Sequence, residues 1–173
     1  MPMEINNLFG LPAHPLLVHL PVVMVPTAAV GAIILAIFPR FFTRYGWWVT
    51  GMAFVGAIGA VLAAGSGETL EERVERSSTL HDHAELGETA RLLAIVLFAV
   101  LLVVMLARKY RAKDMVKKSI SIVTSVLIVA SSAAAGWVIV QTGHTGAKAS
   151  WCEVTKNCPA SSGASEDGDK DED

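Results

Sequence analysis

The chain is short of charge and of the motifs that mark soluble enzymes. Lys, Arg, Asp and Glu make up 17% of its 173 residues, and the net charge is −2. No Lys or Arg occurs in the first fourteen positions. The positive n-region of a secretory leader is therefore missing, and the first apolar run is too long for an h-region, so it is expected to persist as a helix. No basic groove with interleaved aromatic residues is present, which excludes nucleic acid as a partner. A Gly-rich phosphate loop, a nucleophile elbow and a Cys-x-x-Cys-His haem attachment site are all absent. No catalytic residue is nominated on these grounds, and an enzymatic role is not favoured.

Apolar sequence is what the chain has most of. Apolar residues make up 53% of it and gather into four runs, about 15–38, 46–64, 80–107 and 119–141. Each is long enough to cross a hydrocarbon core of ~30 Å at ~1.5 Å per residue. The expected fold class is all-α, a four-helix transmembrane bundle. The second run is rich in small residues (Gly51, Gly56, Gly59, Ala60, Ala63, Gly67), which allow close approach of a neighbouring helix. In the first run, His14 is placed at the N-cap with Pro15 at the first helical position. Pro21 and Pro26 remove the hydrogen bonds to the carbonyls of Leu17 and Val22 and predict a kink. Thr79 and Asp82 have capping-box spacing and start the third helix near Leu80. His83, Gly87, Ala90 and Ala94 then share one stripe. Positions 141–146 predict a C-cap and turn that end the fourth helix near Gly143.

The charges are segregated, and this sets an orientation. Arg40, Arg44, Arg108, Lys109, Arg111, Lys113, Lys117 and Lys118 fall in the first and third connections, opposed only by Asp114. Nearly every carboxylate falls on the other side, where Arg73, Arg76, Arg91, Lys148, Lys156 and Lys170 are spread over a longer stretch. The positive-inside rule places both termini outside the cytoplasm. Cys152 and Cys158, the only cysteines, would then share an oxidising compartment and are expected to close a short loop by a disulfide; free thiols are the alternative if the topology is inverted. The domain reading is a membrane domain at 8–147, a Cys-closed loop at 148–159 and a disordered acidic tail at 160–173. Tyr45, Trp47 and Trp48 are expected as interfacial anchors inside, and Trp137 and Trp151 outside. Arg91 is read as snorkelling to the headgroups rather than pairing with Glu88 or Glu68.

This topology puts all five histidines, His14, His19, His81, His83 and His144, on the outer side. His19, about one and a half turns into its helix, lies at or below the interface, where an unpartnered polar side chain is costly. His83 heads a stripe of small residues with room for a flat ring. Two facing imidazoles ligate a haem iron axially. Three or four bind zinc or copper, with Asp82, Glu85 or Glu88 as an oxygen ligand or supporting partner. Imidazoles also relay protons. The structural alternative is that they cap helix ends and bond the carbonyls freed by Pro21 and Pro26.

The opening Leu8-Phe9-Gly10-Leu11-Pro12-Ala13-His14-Pro15-Leu16-Leu17-Val18-His19-Leu20-Pro21 resembles the start of a bacterial family of small integral membrane proteins, domain-of-unknown-function family 2231. His83-Ala84-Glu85-Leu86-Gly87 is similar to the family as well, and so is Gly143-His144-Thr145-Gly146-Ala147 followed by Trp151. The resemblance covers residues 8–151. It implies a four-helix membrane domain with histidines near one face, and no established activity. His14, His19, His83 and His144 match its pattern; His81 does not.

The leading expectation is a multi-pass protein of the bacterial inner membrane that binds haem b or a transition metal in electron transfer or as a redox accessory. His19 and His83 are the first choice of axial pair, with His144 and His14 as alternatives; all four are the candidate metal ligands. A second reading is a non-catalytic accessory subunit that docks a larger complex through small residues such as Ala130, Ala133, Ala134 and Gly136. Partners under either reading are the lipid bilayer and a membrane redox complex or a second copy of the chain. A small transporter is disfavoured by the lack of internal repeats and of a discontinuous helix pair.

Overall fold

The computed structural model describes residues 7–8, 11–71, 78–110 and 118–155. Cys158, the acidic tail and residues 72–77 lie outside the described residues, and so does any pairing of Cys158 with Cys152. Two two-residue strands, β1 (Asn7–Leu8) and β2 (Leu11–Pro12), pair antiparallel ahead of the bundle. The rest is helical: α1 (Ala13–Leu17), α2 (His19–Ile37), a 3₁₀ turn (Pro39–Phe41), α3 (Phe42–Glu71), α4 (Ser78–Tyr110) and α5 (Lys118–Thr155). Four helical stretches are long and apolar enough to cross a membrane, Ala13–Ile37, Pro39–Thr69, Thr79–Tyr110 and Ile122–Trp151.

Proline chemistry explains the first span. Pro21 has no N–H for the Leu17 carbonyl, and the helix is interrupted at Val18, between α1 and α2. The interruption is slight: Val18 keeps right-handed helical angles, and its N–H still reaches the His14 carbonyl at 3.0 Å. Pro26 lies inside α2 without dividing it. The helix begins at Ala13, so His14 sits within the first turn and not at the cap. Pro15 is tolerated there because first-turn N–H groups have no intrahelical partner.

The remaining boundaries differ from expectation in one direction. Helices α3 and α4 reach beyond the apolar runs into polar sequence. The largest difference is α5, which passes through Gly143 and Gly146 and is described as far as Thr155. Thr142, Thr145 and Ser150 each donate to a carbonyl four residues back, at 2.8, 3.1 and 3.0 Å. Gly146 is also covered by a ring from α4, as described below, so it lies within a packed contact and not in a terminal turn.

The helices form a ring in which α2 packs on α3 and α5, and α4 packs on the same two, while α2 and α4 face each other across the diagonal. Each helix presents a stripe at spacings of three and four. The stripes are Val25, Ala28, Ala29, Ala32, Leu35 and Ala36 on α2; Val49, Ala53, Ala57 and Ala60 on α3; Ala90, Ala94, Leu97, Leu101 and Met105 on α4; and Ile128, Ala135 and Ile139 on α5. The interior is dominated by alanine because lipid gives little hydrophobic drive, and association rests on close van der Waals contact. Gly56 and Gly59 show this most directly. A Cβ at Gly56 would stand 3.2 Å from the Val25 backbone nitrogen, and one at Gly59 would stand 2.9 Å from the Pro21 ring. The outward faces carry large apolar side chains such as Val30, Phe54, Leu92, Val103 and Val126, as a lipid-facing surface requires. Of the small residues named for docking, Ala130 and Ala133 are exposed, while a Cβ at Gly136 would meet Ala29 of α2 at 3.8 Å.

The two ends of the bundle differ in chemistry. At one end, the Arg108 guanidinium lies 4.1 Å over the Phe42 ring and that of Arg40 lies 4.9 Å over Phe41. Tyr45, Trp47, Trp48 and Tyr110 are exposed around it, as aromatic anchors at headgroup level are. The opposite end holds the histidines and Arg91. Arg91 does not simply snorkel: it donates to Glu88 at 3.1 Å and lies 3.7 Å from Glu68, linking α4 to α3.

Candidate functional site: a two-imidazole layer at one end of the bundle

The start of α1, the end of α3, the start of α4 and the C-terminal part of α5 meet at the histidine end. His14 projects from α1 and makes a 2.9 Å bond with the Ala63 carbonyl of α3 through Nδ1. His83 projects from α4 and makes a 3.1 Å bond with the Thr142 carbonyl of α5, again through Nδ1. The two rings then meet edge to face, with centroids 6.3 Å apart and planes at 84°. One diagonal of the bundle supplies two imidazoles, and the other supplies the two carbonyls that hold them.

The carbonyls settle which nitrogen carries the proton. A carbonyl oxygen only accepts, so each Nδ1 must be an N–H donor. In the neutral ring the lone pair is then on Nε2. This is the usual state of a metal-ligating histidine, whose second nitrogen is tied to a carbonyl or carboxylate.

Of the four histidines nominated from sequence, the structure brings together His14 and His83 and not the first-choice pair. His19 and His144 are exposed. The reason is angular: five residues advance a helix by about 140° beyond a full turn, so His14 and His19 leave their helix on different faces. On α5, Thr142, Thr145 and Gly146 share the face toward α4, and His144 lies off it. His81 is exposed and pairs with Glu85 of its own helix at 3.5 Å.

The donor set bears on what could bind. Among the described residues, no group of three or more His, Cys, Asp or Glu side chains is placed to hold a metal ion, so the expected three- or four-histidine zinc or copper cluster is not assembled there. With two imidazoles at one place, His14 and His83 would be the residues to hold a haem iron or a metal ion, which would supply one-electron chemistry. The small-residue stripe below His83 is not an open slot, because Ala90 and Ala94 are buried core residues. Only Gly87 has open space over it, with nothing within 4 Å of a Cβ placed there.

Several residues of the site were not anticipated: Ala63 through its carbonyl, Ser66, Gly67, Thr142 and Thr145. The signal that would have found them is the Ser-Gly or Thr-Gly dipeptide near the end of the second and fourth helices, Ser66-Gly67 and Thr145-Gly146. Comparison with known proteins bears on family alone. Residues 10–159 match the family described as "Predicted membrane protein (DUF2231)". No curated protein and no solved structure matches the chain. The match covers most of the sequence and contains all four spans, and the chain therefore belongs to the DUF2231 family of predicted membrane proteins.

Proposed function

We propose that this integral membrane protein binds a metal centre, haem b iron or a transition-metal ion, between His14 and His83 and serves in electron transfer or as a redox accessory. The observation that carries the reading is the pairing of two imidazoles from diagonal helices, each with Nδ1–H tied to a backbone carbonyl. That arrangement fixes the tautomer and leaves two Nε2 lone pairs at one end of the bundle. A bound iron would supply one-electron chemistry. The protein's own part is to hold the two nitrogens, exclude lipid from them and set the depth of the centre. The basic end, with Arg40, Arg44, Arg108 and Lys109, supports an orientation in which the imidazole end and both termini face out of the cytoplasm of a bacterial inner membrane.

The test is a visible spectrum, oxidised and reduced, with metal analysis on the same detergent-purified sample. A Soret band with a reduction-sensitive α band, or a stoichiometric metal, should vanish in His14→Ala and His83→Ala and survive in His19→Ala and His144→Ala. A colourless, metal-free protein that stays folded after growth with added haem and metals would overturn the cofactor reading. The imidazoles would then be a polar latch in an accessory subunit.

A further inference from the structure

The two imidazoles are seated in the same way by different helices. On α3, the Ala63 carbonyl lies 2.9 Å from His14 Nδ1, and the Ser66 hydroxyl lies 3.4 Å from the same atom. On α5, the Thr142 carbonyl lies 3.1 Å from His83 Nδ1, and the Thr145 hydroxyl lies 3.3 Å from it. Each hydroxyl donates its own proton to a carbonyl of its helix, Ser66 to Ala63 at 2.9 Å and Thr145 to Thr142 or Gln141 at 3.1 Å. Its lone pair is therefore what faces the ring. The next residue is glycine in both places. A Cβ at Gly67 would come within 3.0 Å of His14 Cε1, and one at Gly146 within 2.8 Å of His83 Cε1. Carbonyl at one position, hydroxyl three on and glycine four on form one seat, and the chain contains it twice.

The placement repeats too. In each half, the histidine stands at the start of one span and its seat near the end of the next, Ala13–Ile37 with α3 and α4 with α5. Two helix pairs thus each supply one imidazole at the same end of the bundle, where the rings meet. Both rings are thus held at Nδ1 in the same way, which leaves Nε2 as the free nitrogen in each half.

We infer that Ser66-Gly67 and Thr145-Gly146 are twin positioning seats that hold His14 and His83 as Nδ1–H tautomers, so that the two halves of the chain offer one Nε2 each to a single borderline or soft transition-metal centre. This rests on the two-imidazole reading above and adds the residues that set the ligand state. It also reassigns the 143–147 motif: its working parts are Thr145 and Gly146, and the exposed His144 is not one of them. An unconstrained neutral histidine side chain in water prefers the proton on Nε2, so the seats impose the less common tautomer, and that can be read without any metal.

The experiment uses full-length protein labelled with [¹⁵N]histidine, in lipid nanodiscs, stripped of metal and grown without haem. NMR of the ring nitrogens at mildly alkaline pH should show two histidines with Nδ1 protonated and Nε2 bare, assigned by their loss in His14→Ala and His83→Ala. The other three should show the ordinary mixture. Ser66→Ala should raise the Nε2–H population of His14 several-fold and leave His83 unchanged; Thr145→Ala should do the reverse. Gly67→Ala and Gly146→Ala should act on the same partners more strongly. If the glycine variants do not fold, the hydroxyl variants carry the test. Wild-type His14 and His83 found as Nε2–H or as the ordinary mixture would overturn the seats, and so would folded hydroxyl variants with both tautomers unmoved. The two readings fail separately. Locked tautomers in a protein that never takes up metal or haem leave the seats standing and remove the metal centre. Ordinary tautomers in a metal-binding protein remove the seats alone.

Discussion

His14 and His83 meet edge to face with ring centres 6.3 Å apart, each held at Nδ1 by a helix that carries neither of them. Because all four spans contribute to this layer, damage to it should register in global stability. Loss of His83 leaves the Leu86–Thr142 contact between α4 and α5, where the Leu86 carbonyl is a second acceptor, 3.2 Å away, for the Thr142 hydroxyl that also reaches Val138, but removes the ring that covers Gly146. His83→Ala is expected to cost about 1–2 kcal/mol, from a lost hydrogen bond and lost packing. Reversible unfolding in mixed micelles measures it, and a change near zero would show that the layer is not structural.

The α2–α3 contact is steric at Gly56. A Cβ there would stand 2.8 Å from Val25 Cγ2 and 3.2 Å from the Val25 backbone nitrogen. The backbone cannot yield as a flexible side chain would. Gly56→Leu is expected to destabilise by about 1–3 kcal/mol through overpacking, whereas Gly51→Ala, with nothing within 4 Å, should be neutral or stabilising by up to about 1 kcal/mol. Thermal midpoints of the two variants in one detergent decide it.

Ser132 is 1% exposed, and its hydroxyl finds no hydrogen-bond partner among the described residues. An unsatisfied buried hydroxyl costs on the order of 1 kcal/mol or more. Ser132→Ala removes it with little change in shape, so stability should be unchanged or raised by up to about 1 kcal/mol. A clear loss would mean that Ser132 has a partner, such as water or a ligand, in the working protein.

Arg91 joins Glu88 and Glu68 at the polar edge of the histidine end. Both carboxylates are largely exposed, and exposed pairs contribute about 0–1 kcal/mol and weaken with salt. Arg91→Ala should therefore lower stability by less than about 1 kcal/mol, with the difference shrinking as salt is raised. A larger, salt-independent loss would mark Arg91 as part of the ligand site.

Orientation is checked with the two cysteines. With the imidazole end outside, a membrane-impermeant maleimide should label Cys152 and Cys158 in intact spheroplasts after reduction. Labelling only after the inner membrane is permeabilised would invert the topology.

The spans were legible because membrane insertion asks only for length and apolarity, and both are local. The choice of partner for His83 was not. Depth along a helix is countable from sequence, and it placed His14 and His19 near each other. The direction a side chain leaves the helix matters as much, and it separates them by more than a third of a turn. The C-cap expected at Gly143 failed for a related reason. Glycine allows a helix to end but does not require it, and at Gly146 the missing Cβ serves the approach of the His83 ring instead.

By itself, then, the sequence determined the class of environment, the number of crossings and the end at which the imidazoles gather, all set by apolar runs, prolines and the separation of charge. Only the tertiary structure decided that α2 and α4 lie across a diagonal, and hence that His14, not His19, reaches His83. It also decided that Ser66-Gly67 and Thr145-Gly146 are seats for those rings. Such pairings depend on helix rotation and on close approach of backbones, which arise when four surfaces pack at once and which no single helix encodes.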